Sequence, residues 1–154
     1  MNSTARATAT DFIGQTCELL DEERFGEFLE QCSSDFEYVV RTFSPDLGKD
    51  MVWLQHDRKG FEMLIKMIPE HVRVDAKLSR HATVTNVTEI EPNKIRTRSK
   101  VAVFQTNPNG TSSILAIGTY IDTIDLAQPT SPKLQDRELV LHTQDLGPGV
   151  HVPL

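Results

Sequence analysis

The sequence predicts an α+β fold in which a strongly curved antiparallel sheet of about six strands encloses three helices. Three observations lead there. Apolar residues recur at helical spacing in the first third of the chain and again from Phe61 to Ile68. From Lys77 onward they alternate with polar residues, so strands and helices are segregated along the chain. The late strands are long, and Gly118 falls inside one of them, where a glycine is expected to mark a bulge or a sharp bend. Long meandering strands of this kind curl, and helices with one apolar face each can fill the hollow.

The elements follow in order. Ile13, Cys17 and Leu20, with Phe12 beside them, define one face of a helix over 6–21. Asp21-Glu22-Glu23 interrupts it. Phe25, Phe28, Leu29 and Cys32 then follow the i, i+3, i+4, i+7 rule, which predicts a second helix over 23–32 and puts both cysteines in helices. Phe36, Tyr38 and Val40 alternate with Glu37, Val39 and Arg41 as a strand. Ser44-Pro45-Asp46-Leu47-Gly48 has turn chemistry, and Met51 to His56 is a short strand. Asp57 is placed to cap a third helix whose Phe61, Leu64, Ile65 and Ile68 bury one full face and which ends at Pro69.

Ala82, Val84, Asn86 and Thr88 alternate in the next strand, and Glu91-Pro92-Asn93 turns the chain. Ile95, Thr97, Ser99, Val101 and Val103 then share one strand face, with Arg96, Arg98 and Lys100 on the other. Asn107-Pro108-Asn109-Gly110 is a hairpin signal leading into a strand from Ser113 to Ile124. Ala127 to Pro132 is a loop, and Leu134 to Thr143 is the last strand. The expected organisation is one domain over 1–154, with 1–9 a flexible tail and 145–154 an extended C-terminal tail.

Composition excludes several classes of function. The 154 residues carry 22 acids and 16 bases, a net charge of −6. With pI near 5.3, neither nucleic acid nor an anionic membrane surface is an expected partner. No apolar run approaches membrane-spanning length and Met1 to Thr10 lacks the apolar core of a signal peptide, so a cytoplasmic location is expected. The two cysteines read as reduced, buried thiols. No two of the five histidines, His56, His71, His81, His142 and His151, are two or four residues apart, and Cys-x-x-Cys is missing, so no metal site is expected. Glycine-rich phosphate loops and the Gly-x-Ser-x-Gly elbow are missing too.

What remains is the hollow between helices and sheet. His81 opens the first long strand and is the best single candidate for a general acid or base. Tyr38 can donate to a developing oxyanion, and Asp57 or Asp122 can orient the histidine. Each also has a plainer role: His81 on a rim or interface, Tyr38 as a half-buried strand aromatic, Asp57 as a helix cap, Asp122 as a solvated strand end. One histidine without a second convergent acid or base is a weak catalytic set. Arg96, Arg98 and Lys100 form either a solvated face or a docking face for an acidic partner surface. Trp53 is core or an interface anchor, and the tail around Pro148, Val150, Val152 and Pro153 either frays or lies against something.

Several stretches together carry a resemblance. They are Met51-Val52-Trp53-Leu54, Ser79-Arg80-His81 with Val84-Thr85-Asn86-Val87 behind it, Gly118-Thr119-Tyr120-Ile121-Asp122, and Leu134-Gln135-Asp136-Arg137-Glu138-Leu139-Val140-Leu141-His142-Thr143. In these patterns, and in its order of elements from about Thr10 to Leu154, the chain resembles the small, β-type subunit of Rieske non-haem iron ring-hydroxylating dioxygenases. The resemblance implies the cone-like nuclear-transport-factor-2-like (cystatin-like, SnoaL-like) fold. It implies a non-catalytic role supporting a large α subunit that hydroxylates an aromatic or small sulfonate substrate, and a self-trimer within a three-plus-three hexamer. The Rieske [2Fe–2S] cluster and mononuclear iron belong to that partner, and this chain has no Cys-x-His or Cys-x-x-His pair to hold a cluster. Enzymes of the same fold, similar to scytalone dehydratase, offer an alternative with His81, Tyr38 and Asp57 as the working groups. Against it, Thr97, Ser99 and Val101 stand where that pattern has a second histidine, and Leu20-Asp21 where it has Tyr-Asp. A stand-alone binding module of the same fold is the third possibility.

Overall fold

The computed structural model describes residues 3–70, 75–146 and 152–154. Helix α1 (Ser3–Asp21) and the short α2 (Phe25–Glu30) lead into strands β1 (Cys32–Ser44) and β2 (Lys49–Asp57). Helix α3 (Arg58–Met67) runs into a 3-10 turn, Ile68–Glu70. Strands β3 (Lys77–Glu91), β4 (Lys94–Thr106), β5 (Ser112–Asp125) and β6 (Lys133–Leu141) complete the chain. All six strands form one sheet in the order β2-β1-β6-β5-β4-β3. Among the described residues no helix is long and apolar enough to cross a membrane.

Residues 3–9, expected as a tail, are the first turns of α1. The acidic run does end that helix. Glu23 adopts a left-handed φ of 56°, and the bonds Glu23 N–H to Leu20 O and Arg24 N–H to Leu19 O close a Schellman motif. Helix α2 is shorter than its apolar spacing predicts. Cys32 already belongs to β1, although its Sγ still donates to Phe28 O at 3.3 Å. Arg58 fixes this junction: its Nη1 donates to the carbonyls of Leu29, Cys32 and Ser33 at 3.0, 2.9 and 3.1 Å.

Asp57 caps α3, accepting from Gly60 N–H at 2.8 Å. The helix buries less than a full face. Phe61 and Ile68 are buried, Leu64 and Ile65 are half-buried, and Met63 and Met67 are exposed. Phe61 is the hub of an aromatic cluster, with ring centroids 5.4 Å from Phe36, 5.7 Å from Phe28 and 5.2 Å from Tyr38. Burial of each such ring contributes roughly 1.5–3 kcal/mol.

The neighbouring strand pairs are antiparallel except β1 with β6, which is parallel. Most of the chain separates these two strands, so no tight turn dictates their direction. Register shifts, of one residue except for a three-residue shift at the start of β1 against β6, punctuate the sheet and favour its curling. On β5 the extra residue is Leu115, because Val103 pairs with Ala116 and Phe104 with Ile114. The irregularity expected at Gly118 therefore lies three residues earlier. Gly118 answers a different demand: a Cβ there would sit 2.5 Å from Val140 O. On edge strand β2 the extra residue is Trp53, since Val40 pairs with Leu54 and Arg41 with Val52. Trp53 is 38% exposed, which removes it from the core.

Candidate functional site

The register lays two rows of side chains across the inner face of the sheet. Tyr38, Arg137, Asp122 and Thr97 stand opposite one another on β1, β6, β5 and β4. Val40, Leu139, Tyr120 and Ser99 form the next row. All eight are buried. Helix α1 covers them, bringing Thr16, Cys17 and Asp21 over the sheet.

Arg137 is the centre of this interior. Its Nε and Nη2 grip the two oxygens of Asp122 at 2.8 and 3.0 Å, and Nη2 also donates to Thr16 Oγ1 at 3.1 Å. The guanidinium carbon lies 4.0 Å above the centroid of the Tyr120 ring, a cation–π contact. Burial disfavours the cation, but the Asp122 carboxylate more than offsets it, so Arg137 stays charged. Asp122 was expected on a solvated strand end. It is instead fully buried, because its position in phase with Tyr120 turns it inward to face Arg137.

A second buried cation, Arg80, sits on β3. Its Nη1 donates to Asp21 Oδ1 at 2.7 Å, and its backbone N–H donates to the same carboxylate at 3.0 and 3.2 Å. Its Nη2 donates to Pro153 O. Tyr38 holds Leu154: the phenol oxygen accepts from Leu154 N–H at 3.1 Å, and the hydroxyl lies 3.4 Å from Leu154 O. Burial raises the hydroxyls of Tyr38 and Tyr120 above the ordinary phenol range, so both remain protonated donors. Among the described residues, Arg80 Nε, Thr97 Oγ1, Ser99 Oγ, Tyr120 Oη and Arg137 Nη1 are buried without a hydrogen-bond partner.

Sequence reasoning missed Arg80, Arg137 and Asp21. The available signal is phase. Arg137 alternates in step with Leu139 and Leu141, and Arg80 with Leu78, Ala82 and Val84. A charged residue on a buried phase needs a partner on a neighbouring element.

The candidate catalytic residues do not share one site; each has partners of its own. His81 is exposed, with Nε2 2.9 Å from Ser79 Oγ and its ring centroid 5.0 Å from that of Phe104. Tyr38 faces the interior against Leu154, and Asp57 caps α3. His71, His151, Pro148 and Val150 lie outside the described residues. Among the described residues no three of His, Cys, Asp and Glu converge to hold a metal ion. Cys17 and Cys32 are buried and free. Burial raises the Cys17 thiol and pushes that of Cys32 up to about 12. Since the thiolate is the reactive form, neither is expected to react with Ellman's reagent at pH 8 until urea unfolds the chain. Rapid labelling of the folded protein would contradict this.

The outer face is divided by charge. Arg96, Arg98 and Lys100 project together from β4, all exposed. The row through Arg96 continues over Thr123 to Asp136 and Glu37, and the row through Arg98 over Ile121 to Glu138. The β4 bases thus face Asp136, Glu37 and Glu138 across the sheet, and on β1 Arg41 pairs with Glu138 and Asp50. Partial burial raises the Asp136 carboxyl above its ordinary value, opposed by Thr123 and Arg96. At the β1–β2 edge, Phe43, Leu47, Met51, Val52 and Trp53 form an exposed apolar group.

No family model matches the chain. It is 33% identical over 144 residues to the β subunit of 2-aminobenzenesulfonate 2,3-dioxygenase from an Alcaligenes species, covering 94% of this chain and 95% of that one. It is 30% identical over 145 residues to the hydroxylase β subunit of methanesulfonate monooxygenase from Methylosulfonomonas methylovora, covering 88% and 80%. The solved β subunit of benzoate 1,2-dioxygenase from Burkholderia mallei superimposes with a TM-score of 0.76 at 19% identity, over 99% of this chain and 100% of that one. That likeness establishes the shared nuclear-transport-factor-2-like fold. Taken with the identity to the two sulfonate oxygenase subunits over most of its length, it places this chain in the family of small, β-type subunits of Rieske non-haem iron ring-hydroxylating oxygenases.

Proposed function

We propose that the chain is the non-catalytic small subunit of a multicomponent oxygenase whose large α subunit binds the Rieske [2Fe–2S] cluster and the mononuclear iron and hydroxylates a sulfonate-bearing, aromatic or small organic substrate. The observation that carries this reading is the division of polar groups between interior and exterior. Inside, both oxygens of Asp122 are taken by Arg137 and Asp21 is taken by Arg80, while His81 is exposed at the rim of a cleft it shares with Cys17, Asp21 and Arg80. Such an interior stiffens a scaffold, with its carboxylates Asp21 and Asp122 both engaged by arginines. Outside, Arg96, Arg98 and Lys100 offer three exposed cations in one line, and Trp53 offers an exposed aromatic anchor. These residues meet an acidic surface of a neighbouring subunit. The β4 bases at one side of the outer face and Glu37 and Asp136 at the other also suit a head-to-tail ring of three copies within a three-plus-three hexamer. The complex works in the cytoplasm, without nucleic acid or membrane as partner.

Co-expression with the iron-containing large subunit tests the reading. The triple variant Arg96→Glu, Arg98→Glu, Lys100→Glu is expected to keep its far-UV circular dichroism and to lose co-elution on size exclusion. His81→Ala is expected to leave oxygenase turnover within about twofold, whereas an acid–base role for His81 predicts a loss of about 10² or more. Normal assembly of the triple variant, or dehydration of a small substrate by the isolated chain, would refute the proposal.

A further inference from the structure

The short segment at the end of the chain is seated deep in the fold. Pro153 and Leu154 are buried, and Val152 is half-buried. The polar contacts of Pro153 and Leu154 are made to side chains that are themselves almost fully buried. Arg80, 5% exposed, donates to Pro153 O, and Tyr38, 1% exposed, both accepts from Leu154 N–H and lies within reach of Leu154 O. Arg80 is on β3 and Tyr38 on β1, four strands apart in the sheet order. Two consecutive residues therefore join opposite sides of the inner face. The donors they leave unused, Arg80 Nε, Tyr120 Oη, Ser99 Oγ and Arg137 Nη1, belong to the same interior. Arg137 lies 4.0 Å over the Tyr120 ring and stands opposite Tyr38 in the sheet register, so these groups share the inner face that the segment covers.

We infer that this interior is a latent binding site for a small molecule carrying a carbonyl or carboxylate oxygen beside a branched apolar group, and that Val152–Leu154 keeps it filled. The segment supplies the chemistry such a ligand would bring: a carbonyl oxygen for Arg80, a polar group for the Tyr38 hydroxyl, and an isobutyl side chain buried to 4% exposure. Arg80 and Tyr38 are the specificity-determining pair. In this account the small-subunit role and the plugged cone are linked but separable, because the inference concerns the isolated chain and needs no partner.

The test compares the full chain with a variant deleted of residues 152–154, using 4-methylpentanoate as probe in calorimetric and NMR titrations. The deletion variant is expected to bind the probe at least tenfold more tightly than the full chain, with chemical-shift changes at Tyr38 and Arg80. Adding Arg80→Gln to the deletion variant is expected to abolish the gain. Equal binding to both chains, or binding to neither, overturns the inference. If the deletion variant does not fold, Tyr38→Phe in the full chain decides. Amide exchange at Leu154 should then speed up at least tenfold, with β4 amides unchanged, and an unchanged Leu154 rate overturns the inference. Failure to assemble with a large subunit would not alter any of these readouts.

Discussion

Arg137→Met and Asp122→Leu, made one at a time, are each expected to cost about 3–5 kcal/mol of unfolding free energy, and the double variant markedly less than the sum. Both side chains have no exposure at all. Each supplies the other with its main compensation for leaving water: two parallel bonds at 2.8 and 3.0 Å. Removing Arg137 strands a carboxylate beneath α1. Removing Asp122 leaves a guanidinium whose partners among the described residues are Thr16 Oγ1 and the face of Tyr120. Replacing both by apolar side chains of similar size removes the charges together, and Thr16 keeps its bond to Ile13 O at 2.7 Å. The coupling energy is therefore expected to be about 2 kcal/mol or more, read from urea unfolding at pH 7. Additive costs would mean that the pair is solvated in the folded protein and that the interior is not the closed scaffold described above.

The same pair marks the boundary of what the sequence makes legible. Periodicity assigns a residue to a face, so the alternation of Ile95 to Val103 against Arg96 to Lys100 places the inner and outer sides of β4 correctly before any coordinates. It also finds α1, α3 and the cap at Asp57, because these depend on residues close in the chain. Periodicity does not say which strand lies alongside. Asp122 and Arg137 become partners only through the β5–β6 register, and Tyr38 joins their row only through the parallel β1–β6 pairing. A reader limited to spacing sees Asp122 near a strand end and leaves it in solvent. The start of β1 is obscured for a related reason. Arg58, held on α3, gathers the last carbonyls of α2 and the first of β1, and this long-range grip ends the helix before its apolar spacing runs out. On the outer face the three bases of β4 are legible as a group. Their opposition to Glu37, Asp136 and Glu138 is not, since it is a property of three non-consecutive strands.

Gly118→Ala is expected to destabilise the protein by about 2–3 kcal/mol, against the usual sign of a glycine replacement in a strand. Glycine weakens a strand through its extra freedom in the unfolded chain, so an alanine that fits stabilises by about 0.4–1 kcal/mol. At Gly118 it does not fit. The added carbon would lie 2.5 Å from Val140 O and 3.2 Å from Leu141 Cα, and these are backbone atoms that no rotamer change can move. Relief requires β6 to retreat from β5. That strand carries Arg137, Leu139 and Leu141, all buried, so the retreat would loosen the ion pair and the core together. Steric overlap therefore outweighs the entropic gain. Gly14 provides the control. It lies on the exposed side of α1, and a Cβ there meets nothing within 4 Å. Gly14→Ala should accordingly stabilise by about 0.5–1 kcal/mol, the ordinary helical preference. Thermal unfolding of the two variants side by side should give shifts of opposite sign. A Gly118→Ala protein as stable as the parent would show that β5 and β6 approach less closely than the register requires.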